Sequence, residues 1–217
     1  MALFPRWTNT VSRLSAALSL GIPAVAIAGL LLFVRTPFGT HQEREIVQPI
    51  EFDHRHHVND EGIDCRYCHN LVEKSSTAGI PSTTICMSCH AQIWNQSAML
   101  GYVRSLYFKD RPIPWNRVHN LPDFVYFNHS IHVNKGVGCV TCHGRVDQMA
   151  VIDQVAPLTM GWCLGCHRNP EPNLRPTEFI TSMTWEPPAH VDREEFGRGL
   201  AKEYGVHTRV SCTTCHR

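Results

Sequence analysis

All ten cysteines of this 217-residue sequence fall into one five-residue pattern, C-x-x-C-H, and each repeat also takes one of the fourteen histidines. The pattern occurs as Cys65…Cys68-His69, Cys86…Cys89-His90, Cys139…Cys142-His143, Cys163…Cys166-His167 and Cys212…Cys215-His216. Two thiols three positions apart can each add to one vinyl group of a haem, and the adjacent imidazole then becomes an axial ligand of the iron. Zinc would use C-x-x-C units in pairs, but the count here is odd, and zinc gives no reason for a histidine after every second cysteine. Structural disulfides fit poorly, because the small C-x-x-C ring is strained and belongs to redox enzymes. The pattern therefore predicts five covalently bound haem c groups, with the ten cysteines as attachment points and His69, His90, His143, His167 and His216 as proximal iron ligands.

What such a group does depends on its sixth ligand: filled by protein it carries electrons, and left open it can bind substrate. Nine histidines lie outside the motifs. Two short segments containing four of them repeat. "FDHRHH" (Phe52–His57) precedes Cys65 and "FNHSIH" (Phe127–His132) precedes Cys139, with the first histidine 11 or 10 residues before the next motif. A second motif follows 21 or 24 residues after the first, so residues 52–90 and 127–167 read as a duplicated two-haem unit. On a helix, His54 and His57 share a face at i, i+3 spacing, as do His129 and His132, and each pair could reach two neighbouring irons. A fifth distal ligand is expected from His119, in the aromatic connection "WNRVHNLPDFVYF", with His190, His207 and Met160 in reserve. His41 lies close to the apolar segment described next, and His56 faces away from His54 and His57. Arg66, Arg145 and Arg168 are placed to meet haem propionates or solvent. No C-x-x-C-K, phosphate-binding glycine loop or G-x-S-x-G elbow occurs, so no catalytic residue is assigned.

These motifs need elements to hold them. Residues 14–34, "LSAALSLGIPAVAIAGLLLFV", carry no charge over 21 positions and are flanked by Arg13 and Arg35, which is long enough for a transmembrane helix. A cleavable signal peptide is the rival, with Ala26-Ile27-Ala28 resembling a cleavage site, but the apolar run continues past it through Leu30 to Val34. An uncleaved signal anchor is expected. Residues 1–13 would then be cytoplasmic, 35–50 a linker and 51–217 an extracytoplasmic haem domain, in the bacterial inner membrane. Five haems in so short a domain must themselves form much of the apolar interior. With 14 prolines, this predicts a mainly α fold with little regular structure: one N-terminal transmembrane helix and a loop-rich multihaem cytochrome domain. The formal charge of +1 shows no basic excess for nucleic acid.

The F-x-H-x-x-H segments followed by C-x-x-C-H resemble class III multihaem cytochromes, in which such histidines are distal ligands. One anchor, five motifs and the run "PIPWNRVHNLPDFVYFNHSIHVNKGVGCVTCHG" (Pro112–Gly144) resemble more narrowly the pentahaem cytochrome c subunit of alternative complex III. That resemblance implies a relay of electrons from menaquinol towards a periplasmic cytochrome c or terminal oxidase. The implied partners are an iron–sulfur subunit, quinol-binding membrane subunits and a monohaem cytochrome. The alternatives are a free-standing quinol dehydrogenase of the NapC/NrfH type feeding a soluble reductase, and a multihaem enzyme or sensor with an open fifth haem.

Overall fold

The structure, a computed structural model, describes residues 4–216 and separates into two compact units, residues 1–41 and 42–217. The first unit is dominated by one helix, Trp7–Phe33, of 27 residues. At ~1.5 Å per residue it is about 40 Å long, and its most apolar stretch has a mean hydropathy of 2.3. It is long and apolar enough to cross a membrane. The helix begins well before the uncharged stretch and takes in Arg13. Its start follows Pro5, whose carbonyl accepts from the Thr8 amide at 3.1 Å, and no glycine or proline lies between there and Gly21. Pro23 sits inside the helix without ending it.

The second unit is a chain of short helices and loops. Among the described residues it contains no strand, only an isolated bridge between Val137 and Leu174. Each C-x-x-C-H motif has both cysteines on a short helix: Cys65–Cys68, Thr83–His90, Cys139–His143, Met160–Arg168 and Cys212–Cys215. The residue before each helix is extended, and two of those residues cap it. The Asp64 carboxylate accepts from the Arg66 amide at 2.8 Å, and the Thr159 hydroxyl accepts from the Trp162 amide at 3.3 Å. A helical turn puts residues i and i+3 on one side, so both thiols of a motif face the same way. Gly144, directly after His143, has φ 67°, and a Cβ there would lie 2.7 Å from the Val155 side chain. Only glycine lets the chain leave the third motif along this path.

Protein side chains supply little continuous core. No side chain falls below 2 % exposure among the described residues. The main apolar cluster joins Leu174, Leu200 and Ala201 to Val137, Phe196 and Tyr204. It forms where the helix Arg193–Glu203, capped by Asp192, lies across the turn Glu171–Asn173. A smaller contact packs Gly101–Phe108, through Val103 and Leu106, near the helix bearing Met87. The large rings and branched chains near the motifs, among them Tyr67, Ile93, Trp94, Tyr126 and Val210, remain exposed. These are faces that a flat apolar macrocycle would cover.

Candidate haem sites

The two F-x-H-x-x-H segments fold with the same contacts although one makes a π-helical turn, Arg55–Asp60, and the other an α-helix, His129–Asn134. Phe52 stacks on His57 at 4.3 Å and meets His54 edge-on at 4.7 Å. Phe127 stacks on His132 at 4.5 Å and meets His129 edge-on at 4.7 Å. In both segments the second histidine bonds through Nδ1 to the carbonyl four residues back, His57 to Asp53 at 2.8 Å and His132 to Asn128 at 2.7 Å.

That bond belongs to a wider pattern. His69 meets the Gly79 carbonyl at 2.8 Å, His90 that of Ile93 at 3.1 Å, and His129 that of Ser76 at 3.0 Å. His167 meets the Arg209 carbonyl at 2.8 Å and His216 that of Phe124 at 3.0 Å. A carbonyl can only accept, so Nδ1 carries the proton in each case and the lone pair is left on Nε2. This is the arrangement that orients a metal-ligating imidazole and raises its basicity. His54 and His119 each hold a buried nitrogen without a partner, Nδ1 and Nε2 respectively.

The spacing of the rings is equally specific. Two imidazoles bound to one metal through bonds of ~2.0 Å place their ring centres about 6 Å apart. His57 and His90 are 6.2 Å apart, His132 and His167 are 6.0 Å apart, and His129 and His143 are 6.4 Å apart with their planes within 13°. His119 packs edge-on against the same His143 at 4.3 Å, and His54 lies in the field of His69. The five distal histidines expected from sequence thus gather on the motifs ending in His69, His90, His143 and His167. His216 has its contacts with Phe124, on the Nδ1 side. His190, His207 and Met160 are exposed.

Burial holds several of these imidazoles neutral. It lowers His54 to about 4 and His143 to about 3, and it also lowers His119, His129 and His132. A neutral imidazole is the form that binds a metal. All ten thiols are unpaired, and burial pushes the Cys142 thiol up to about 12. Among the described residues, no group of three or more His, Cys, Asp or Glu side chains converges as a tetrahedral metal site would require. The fit is to haem: paired thiols on one helical face, an adjacent imidazole with its tautomer fixed, and a second imidazole at the separation that admits one iron.

Arg66, Arg145 and Arg168 all keep access to solvent, one of the two roles expected of them. Arg66 is engaged by Asp64 at 2.9 Å and Glu73 at 3.2 Å, and Arg145 by Asp147 at 2.6 Å. The guanidinium that sequence reasoning missed is Arg175. It is 3 % exposed, donates to the Ser182 carbonyl at 2.8 Å, lies 5.4 Å from the Trp185 ring centre, and leaves Nε without a partner. Its side chain runs against Gly138, one residue before Cys139. Nothing in "NLRPTEF" marks it. His56, by contrast, faces Asp60 at 3.5 Å and Glu61 at 3.8 Å and stacks over Trp94.

Fold and site together define a multihaem cytochrome c domain behind an apolar N-terminal helix. Residues 125–217, which include the last three motifs with His129 and His132, match the family described as cytochrome c7 and related cytochrome c. The chain is also 38 % identical over 97 residues to the multihaem cytochrome c subunit of menaquinone reductase from Nitratidesulfovibrio vulgaris. That alignment covers 44 % of this chain and 45 % of the relative, so the chain spans less than half the length of the curated relative it matches.

Proposed function

We propose that this chain is the electron relay of a membrane-bound, quinone-linked respiratory complex. The observation that carries the reading is the set of histidine pairs at 6.0, 6.2 and 6.4 Å, each joining a motif histidine to one from an F-x-H-x-x-H segment. Haem c, one per motif, supplies a one-electron Fe(III)/Fe(II) couple. The chain's own residues do the rest. The ten cysteines hold the macrocycles, and His69, His90, His143, His167 and His216 are proximal ligands. His57 completes the second motif and His132 the fourth, while two of His54, His119 and His129 serve the first and third, one distal ligand to each. Backbone carbonyls hold seven of these imidazoles in the ligating tautomer, so little has to move when the charge on the metal changes.

The helix Trp7–Phe33 anchors the chain, with residues 1–13 cytoplasmic and the haem domain extracytoplasmic. The finer assignment is to a complex of the alternative complex III type. There the relay carries electrons from menaquinol to a periplasmic cytochrome c or terminal oxidase, beside an iron–sulfur subunit, membrane quinol subunits and a monohaem cytochrome. The run Pro112–Gly144 supports it. A second reading, flow in the opposite direction into menaquinone, is favoured by the name of the relative, a menaquinone reductase subunit.

The test is to purify the full chain in mild detergent with its associated subunits and follow its visible spectrum. Menaquinol should reduce the haems, and the reduced complex should pass electrons to a soluble cytochrome c. If menaquinol leaves them oxidised while externally reduced haems deliver electrons to menaquinone, the second reading replaces the first. A chain that comes without partners and exchanges electrons with neither form of the quinone rejects both.

A further inference from the structure

The positions of the five motifs relative to one another are not those of the sequence. Call them one to five in chain order. The helices of motifs one and two are joined by the Tyr67 hydroxyl and Ser88 Oγ at 2.9 Å. Motif one meets motif three at several points. The turn after Thr177 fastens both motifs at once: Thr181 donates to the Asp64 cap of motif one at 2.8 Å, and the Ile180 carbonyl accepts from the Cys139 amide at 3.1 Å. The loop after motif one also receives the histidine helix of the second segment, with Ser75 and Ser76 carbonyls accepting from the amides of Ser130 and His129 at 3.1 and 3.2 Å.

Motifs three and four share that helix. His129 and His132 lie one turn apart on it and face His143 and His167. Motif four is tied to the approach to motif five by His167 Nδ1 and the Arg209 carbonyl at 2.8 Å. Motif five is fixed on the other side by the segment leading into the same histidine helix, where the Tyr126 amide donates to the Cys215 carbonyl at 2.8 Å.

Exposure independently agrees with this connectivity. Of the ten cysteines, Cys89 and Cys212 are the exposed ones, and they belong to motifs two and five. Motif three is the most enclosed: none of its five residues is exposed, whereas each of the other four motifs has at least one that is.

We infer that the motifs form one unbranched row in the order two, one, three, four, five, with motif three at its centre and motifs two and five as the ends where electrons enter and leave. The row rests on the relay reading above. It has a consequence that chain order does not: the first motif is an interior position, and the second is a terminus. Partners that exchange electrons with this chain should therefore meet it near Cys89–His90 or near Cys212–His216, and not at Cys65–His69.

The experiment is a crystal structure of the full haem-loaded chain in detergent, with anomalous differences collected at the iron edge. Each iron is traced to its own motif through the thioether bonds. The expected result is five peaks in which motif two has motif one as its nearest iron, motif one lies between two and three, and motif five neighbours four. Five peaks in another order, for instance motif two beside motif five or a branch at motif one, overturn the row and leave the relay reading standing. Fewer than five peaks overturn the five-haem reading and the row with it.

Discussion

Substitution of Gly197 and Gly199 on one helix should move stability in opposite directions. A Cβ at Gly197 would lie 1.9 Å from the Glu171 carbonyl oxygen and 2.6 Å from its carbon, whereas a Cβ at Gly199 meets nothing within 4 Å. Both positions lie inside Arg193–Glu203, so alanine gains about 1 kcal/mol of helix propensity at either. At Gly197 the obstacle is backbone, which no rotamer change relieves. The helix must lift from the turn Glu171–Asn173, loosening Leu200 and Ala201 against Leu174, and such overpacking costs roughly 1–3 kcal/mol or more. Net of that propensity gain, Gly197→Ala should be destabilised by about 1 kcal/mol, a fall in Tm of roughly 2–4 °C for a chain of this size. Gly199→Ala should gain up to ~1 kcal/mol, a rise of about 2–4 °C. The assay is thermal unfolding of the oxidised full-length variants at one scan rate, followed by far-ultraviolet circular dichroism. A Gly197→Ala protein as stable as Gly199→Ala would refute the packing of this helix on the turn.

Three further outcomes follow from the site. His57→Met and His132→Met should each change one low-spin haem signal in low-temperature EPR while keeping full haem content by mass; loss of more than one signal would contradict one-to-one pairing. Arg175→Gln removes a buried cation beside Gly138 and Cys139, so one haem should shift to a lower potential in a spectroelectrochemical titration; an unchanged set of potentials would place Arg175 away from any macrocycle. The Asp64 carboxyl is lowered to about 2, chiefly by its hydrogen bond from Arg66, so its contribution to stability is present above about pH 4 and is lost as pH falls through 2. Asp64→Asn should lower Tm at pH 7, with the deficit shrinking steadily below about pH 4 to a small remainder near pH 2; a deficit unchanged in acid would assign the effect to the lost cap geometry instead.

The parts legible in the sequence are those whose chemistry is local. Motif spacing alone indicates paired thiols with an adjacent imidazole, and the structure places all five motifs on helical turns. The same holds for the F-x-H-x-x-H segments, where i, i+3 spacing and a preceding aromatic encode the stacked Phe–His arrangement. The N-terminal apolar helix was evident from charge alone, though its start at Trp7 was set by Pro5. Long-range features were not legible. His119 meets His143 across a loop whose course no periodicity reveals, so its place beside that motif could not be read from the sequence. Arg175 is held by Ser182, Trp185 and Gly138, none of which marks it as special in the chain. The backbone carbonyls that fix the imidazole tautomers are chemically anonymous in a sequence, since every residue has one.

The most direct test of the electron-relay account is low-temperature EPR with near-infrared magnetic circular dichroism on the oxidised full-length protein, quantified per haem. The account predicts that at least four of five haems are low-spin with two histidine ligands, those at Cys65–His69, Cys86–His90, Cys139–His143 and Cys163–His167. Fewer than four such haems, or a predominantly high-spin spectrum, would contradict it.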